Sequence, residues 1–194
     1  VAAYLGNPTV HNHGAMLFAP LLLRTLRTRN TYSATSVDQL PHMLAAHLML
    51  GHQLLLPVPD LDRTDLLVIF GGNPAVSHGS LMTAGGILDR LEALRARGGR
   101  IWLVDPRRSE TAALANRHLF IRPGSDALML AALVRELLEA GPRLGHLAGF
   151  AEGLGALREA VAGFSPEQVA APTGVPADTI RELAREIRSA PSAV

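Results

Sequence analysis

The chain contains no cysteine. That excludes disulfides, thiolate metal sites and an iron–sulfur cluster held by its own residues. Aromatic residues make up only 4% of its 194 positions and the formal net charge is +1. A general nucleic-acid binder would show stacking aromatics or a basic excess, and neither is present. No apolar run reaches the ~18 residues of a membrane span. No basic leader with a cleavage site opens the chain. A cytoplasmic location without membrane insertion is therefore expected. The chain starts without methionine, at VAAYLGNP, and closes on SAPSAV after a helical pattern, so it reads as a piece of something longer. What is there is a globular composition, 48% hydrophobic and 18% charged, sufficient for one sizeable domain or one and a half small ones.

Periodicity organises the chain into alternating elements. Residues 13–29 carry Met16, Leu17, Leu21, Leu22 and Leu26 at helical spacing, with arginines near the end. The short polar stretch NTYSAT predicts a brief strand. Ser36 and Gln39 fit a capping box ahead of an apolar helix that has Pro41 in its first turn and Gly51 as its stop. A connector rich in Pro and Asp, PVPDLDRTD, follows. Leu66–Phe70 (LLVIF) is a continuous apolar strand of the kind buried on both faces of a parallel sheet. A turn over 71–79 and a helix over 80–97 come next, and Gly98-Gly99 stops that helix. RIWLV at 100–104 predicts a second strand, 110–116 a short helix and HLFI at 118–121 a third strand. A Pro-Gly-Ser-Asp turn then opens a helix over 127–140. From 149 onward the pattern predicts only helices, at 151–162 and 176–189, with a turn at Ser165-Pro166. The expected fold class is α/β, a doubly wound parallel sheet flanked by helices, with a helical C-terminal part.

In such a sheet, ligands lie beyond the carboxyl ends of the strands. Three consecutive strand ends carry unusual residues: GGNPAVSH, DPRRSET and RPGSD. Gly71 and Gly72 permit close backbone approach, Asn73 and Ser77 offer hydrogen bonds, and the following helix N-terminus favours anionic groups. Asp105 stands at a strand end where dinucleotide folds seat a ribose, and Arg107 is placed to reach a phosphate or carbonyl. Asp126, after a glycine turn, can accept two N–H bonds, as from a guanine edge. Turn and cap chemistry explains each loop taken singly. Three at consecutive strand ends point to a nucleotide site, although GxGxxG is absent.

These stretches also carry a resemblance. GGNPAVSHG, VDPRRSETA and IRPGSDALMLAAL occur in that order, followed by FSPEQVAAPTGVPADTIRELAREI and preceded by YLGNPTVHNHG. Together they resemble the cofactor-binding part of molybdopterin oxidoreductases, the superfamily of formate dehydrogenases, nitrate reductases and dimethyl sulfoxide reductases. The resemblance covers essentially the whole chain. It implies a Rossmann-like domain over 34–194 that binds one of two molybdopterin guanine dinucleotides (bis-MGD), preceded at 1–33 by part of an adjoining α/β domain. Gly72, Asn73, Ser77 and His78 would line the phosphate and pterin side. Asp105 and Arg107 would contact the guanosine ribose and its surroundings, and Gly124, Ser125 and Asp126 the guanine. For His78, a solvent-facing residue at a helix start stays open beside that role.

The same resemblance places the protein ligand to molybdenum just ahead of this sheet. The register RTRNTYSATSVDQLP puts Asp38 there, as metal ligand and catalytic residue, with Ser36 next if the register slips. A carboxylate suits an oxidised, oxo-bearing metal, and a helix-start role for Asp38 stays open beside it. Asp38 departs from the Cys or selenocysteine of formate dehydrogenases, which puts a formate substrate in doubt. His11 and His13 invite a metal reading, as do His42, His47 and His52, but five-residue steps turn ~140° around a helix and cannot share one face. A 4Fe-4S cluster would belong to a segment ahead of this chain and a second dinucleotide to a barrel after it. The expected partners are therefore a small-molecule substrate and an electron-transfer protein, and the chain alone would not turn over. Two other readings compete: a non-catalytic scaffold of the same fold, like the large subunit of respiratory complex I, and an NAD-binding Rossmann protein.

Overall fold

The computed structural model describes residues 1–6, 9, 12–79 and 84–194. Of the N-terminal motif, Asn7, Pro8, Val10 and His11 lie outside the described residues, as does the start of the helix expected at 80–97. Contacts divide the chain into two units, Val1–Pro57 and Val58–Val194. The expected boundary followed residue 33, whereas contacts group 34–57 with the first unit.

In the first unit, β1 (Ala3–Leu5) and β2 (Thr31–Ser33) pair in parallel, with Tyr4 opposite Tyr32. Their crossover is α1 (His13–Leu26), whose N-cap Asn12 accepts from the Ala15 N–H at 2.9 Å. α2 (Leu40–Leu50) ends as expected at Gly51, which takes the left-handed φ of 86°. The capping box expected at Ser36 does not form. Ser36 belongs to a 3₁₀ turn, Ala34–Ser36, and donates its hydroxyl to the Ser33 carbonyl instead. An N-cap needs extended backbone, and a residue already inside a helical turn cannot supply it. Of the first unit's described residues, only Ala46 is buried.

The second unit holds a parallel sheet in the order β3 (Leu66–Phe70), β4 (Arg100–Val104), β5 (Arg117–Leu119). α4 (Ile87–Ala96) links β3 to β4, and a 3₁₀ turn, Glu110–Ala113, lies between β4 and β5. Alternation sends side chains to both faces. Leu66, Trp102 and Val104 pack with α5 (Asp126–Glu139), α7 (Pro166–Thr173) and α8 (Ala177–Ser189). Leu67 and Ile101 pack on the other face against Ile87, Leu91 and Leu94 of α4. Helices thus cover the parallel sheet on both sides. The buried Trp102 indole donates to Glu186 of α8 at 2.7 Å, which satisfies its one polar atom. α6 (Leu154–Val161) packs against α5.

Three expectations need correction here. The helix expected over 80–97 is not helical at 84–86: α4 starts at Ile87, and Gly86 in a left-handed conformation (φ 63°) sets its N-terminal limit. The segment at Ser165-Pro166 is no mere turn. It starts α7 through a full capping box between Ser165 and Gln168, with Pro166 presetting φ at the first helical position. The C-terminal part is not wholly helical either. Ser192–Val194 runs alongside β3, and the Val68 N–H donates to the Val194 carbonyl at 2.8 Å. Among the described residues, no helix is long and apolar enough to cross a membrane.

Candidate nucleotide site at the strand ends

Register decides where the three loops meet. Phe70 pairs with Val104 and Val104 with Leu119, so the loops leave the sheet side by side along one edge. The ladder continues one residue further, with Gly71 N–H donating to Val104 at 2.8 Å and Asp105 N–H to Leu119 at 3.0 Å. Nine of the predicted residues lie on these loops: Gly72, Asn73, Ser77 and His78; Asp105 and Arg107; Gly124, Ser125 and Asp126.

In the first loop, Gly71 turns the chain at φ 60° and has open space where a side chain would stand. Gly72 is glycine for a different reason: a Cβ there would sit 2.9 Å from Ile69 Cγ2. α3 (Pro74–Ser77) is a single turn that begins with proline. The helix N-terminus expected to favour anions belongs to the helix predicted from 80, whose start lies outside the described residues. Pro74 has no N–H, and the Ala75 N–H is held by Thr111 Oγ1 at 3.1 Å. Ser77 donates to the Asn73 carbonyl and accepts from the Gly79 N–H, both at 3.2 Å. His78 is exposed and ends α3 rather than starting a helix, in the left-handed region at φ 54°. Such backbone is uncommon for a residue with a side chain and clusters at functional sites.

In the second loop, Asp105 is only 8% exposed. Its Oδ1 accepts the Arg107 N–H at 2.7 Å, while His118 Nε2 donates to its carbonyl at 3.1 Å. The carboxylate is thereby fixed at the strand end. Arg107 lies 3.3 Å from Glu110, an exposed pair. The Glu110 N–H, the Asn73 amide and the Arg107 guanidinium hold the Glu110 carboxyl below its usual range. Ser109 is buried, and its hydroxyl is the one buried side-chain polar atom without a partner among the described residues.

In the third loop, Gly124 turns at φ 79°, again with open space above it. Ser125 is buried and gives its hydroxyl to the Arg122 carbonyl at 2.6 Å, so it does not cap α5. Asp126 stands half-buried in the first turn of α5, where the helix dipole favours a negative charge. The Arg122 N–H donates to Thr173 at 2.9 Å and ties this loop to the end of α7.

Asp38 belongs to the first unit. It is exposed on the turn between the Ala34–Ser36 turn and α2, and its N–H donates to Ala34 at 3.1 Å. Among the described residues, no group of three or more His, Asp or Glu could hold a metal ion. Thr111 and Glu110, which hydrogen-bond Asn73 across the first two loops, were not singled out by sequence reasoning. The polar run SET right after DPRR was the available signal, but nothing local shows that Thr111 is fully buried.

No family model matches the chain. It is 32% identical over 168 residues to formate dehydrogenase H of Escherichia coli, covering 86% of this chain and 23% of that protein. To the dimethyl sulfoxide reductase DmsA of Haemophilus influenzae it is 32% identical, covering 67% of this chain and 18% of the relative. To the assimilatory nitrate reductase of Haloferax mediterranei it is 28% identical over 188 residues, with coverage of 94% and 25%. Among solved structures, acetylene hydratase from Pelobacter acetylenicus shares the fold at a TM-score of 0.65 and 21% identity, over 88% of this chain and 23% of its own. The chain spans about a quarter or less of the length of these relatives.

Proposed function

The chain belongs to the molybdopterin oxidoreductase superfamily, and from that premise we propose that its second unit is a Rossmann-like domain binding one molybdopterin guanine dinucleotide. The observation that carries the reading is the register of β3, β4 and β5, which brings GGNP, DPRR and PGSD to one sheet edge. Gly71 and Gly124 leave open space there, and the Asp105 carboxylate is held ready with one oxygen engaged. Those features fit a ligand with a ribose and phosphates. In this reading Asp105 accepts from a ribose hydroxyl, and Asp126 accepts N–H groups of the guanine edge beside Gly124 and Ser125. Arg107 balances phosphate charge, and Gly72, Ser77 and His78 border the phosphate and pterin end.

Asp38 is proposed as the protein ligand to molybdenum, with Ser36 as the neighbouring candidate. An exposed carboxylate is a hard donor suited to an oxidised metal. The bound cofactor would supply two-electron redox chemistry on a small-molecule substrate, with electrons passed to a partner protein. The relatives are named as a formate dehydrogenase, a nitrate reductase and dimethyl sulfoxide reductases. What the residues of this chain contribute is binding and orientation.

The test is made on full-length holoprotein. Denaturation is expected to release guanine nucleotide, and metal analysis to find molybdenum; nicotinamide in its place would overturn the reading. In the same preparation, Asp126→Ala should weaken cofactor retention by ~1–3 kcal/mol, the cost of unpaired N–H donors. Asp38→Ala should abolish turnover while the dinucleotide stays bound, and near-normal turnover would reduce Asp38 to a turn residue.

A further inference from the structure

Asn73 and Thr111 lie 38 positions apart in the chain and form a polar junction between the first two loops. Asn73 Oδ1 accepts from Thr111 twice, from the hydroxyl at 2.7 Å and from the N–H at 3.2 Å. The Asn73 amide donates to Glu110 Oε2 at 2.7 Å, and the same oxygen receives Arg107 Nη2 at 3.3 Å. Thr111 Oγ1, besides donating to Asn73, accepts the Ala75 N–H at 3.1 Å. The Thr111 side chain is fully buried. The hydroxyl of Thr111 and the amide oxygen of Asn73 are thus engaged within the protein, and the amide nitrogen already donates to Glu110.

We infer that Asn73 and Thr111 are positioning residues that lock the GGNP and DPRR loops into one cradle, so that the site favours a guanine nucleotide whose phosphates span both loops. The inference rests on the dinucleotide reading above and deepens it. A mononucleotide with one phosphate engages the DPRR and PGSD loops and depends little on where the first loop stands. A diphosphate reaches the first loop and is bound best only when the two loops keep their spacing. The bracket also runs on to Arg107, because Glu110 shares one carboxylate oxygen between Asn73 and Arg107. A shift of the first loop therefore displaces the cation set over the phosphates. This accounts for asparagine followed by proline where other dinucleotide turns carry a third glycine. The residue serves to grip the neighbouring loop, and its side chain does not have to leave room for a helix.

The experiment compares GDP and GMP affinity by titration calorimetry on the full chain, with melting temperature recorded for each variant. Thr111→Val keeps the shape and removes both hydrogen bonds of the hydroxyl. It should weaken GDP about tenfold, the equivalent of one lost buried hydrogen bond, and change GMP far less. Thr111→Ser restores the hydroxyl and should recover the wild-type GDP-to-GMP preference. Asn73→Asp sets a second carboxylate against Glu110 and should lose the preference as Thr111→Val does. It decides the matter on the same ratio if the valine variant is too unstable to purify. A lowered melting temperature with an unchanged GDP-to-GMP ratio would overturn the inference while leaving the nucleotide site standing. Wild-type chain that binds neither GDP nor GMP would overturn the dinucleotide reading and this inference with it.

Discussion

The two units of the chain handle similar apolar material in opposite ways. The second unit drives Leu66, Trp102 and Val104 into one core and Leu67, Ile101 and Leu91 into another, on opposite faces of one sheet. The first unit has a parallel β-α-β crossover and two apolar helices, yet buries only Ala46 among its described residues. Leu17 on α1 is 69% exposed and Leu48 on α2 is 74% exposed. Burying a leucine contributes about 1.5–3 kcal/mol, and the first unit gains little of that. Hydrophobic content and helical periodicity do not make a core; a second layer to pack against does.

The sharpest way to break the comparison is to separate the units. Residues 58–194 alone should give a cooperative thermal transition by circular dichroism, and residues 1–57 alone should give none. A cooperative melt from the shorter piece would show that its exposed leucines find a core after all. Point substitutions come next. Trp102→Ala should cost about 3–5 kcal/mol, from lost burial and the cavity left behind. Leu48→Ser should stay within about 0.5 kcal/mol, as an exposed substitution does. Chemical denaturation of the full chain measures both, and equal losses would erase the contrast. The smallest effect concerns pH within the second unit. Folding holds the Glu110 carboxyl below its usual range, so its contribution is present above the unfolded-state value. It is lost as pH falls through the lower folded-state value. Glu110→Gln should therefore flatten the acid side of the stability profile slightly. An unchanged profile would mean that the exposed pair with Arg107 contributes nothing measurable.

Sequence made the elements of the second unit legible where the signal was local. LLVIF and RIWLV formed strands at the expected limits, and the order of strands and helices was enough to put three loop ends on one side of a parallel sheet. Gly51 stopped its helix because a left-handed residue favours glycine. The same kind of local pattern misled where a tertiary partner was decisive. Ser-x-x-Gln occurs at Ser36 and at Ser165. At Ser165 it caps a helix that packs through the buried Val169 into the core. At Ser36 the preceding Ser33 holds the chain in a 3₁₀ turn and the pattern lapses. Asp126 and Asp105 stand where the strand ends placed them, but the engagement of Asn73 with Thr111 was invisible.

The sequence by itself determined the α/β class, the parallel sheet, the three loops at its edge and the family. The class, sheet and loops follow from periodicity and turn residues, which act within a few positions, and the family from a resemblance in motifs that keep their order along the chain. Only the tertiary structure decided which apolar faces find cover and which capping pattern operates. It alone decided that Asn73 grips the neighbouring loop. Each of those outcomes depends on groups brought together from distant parts of the chain, and strand register and helix packing set such distances.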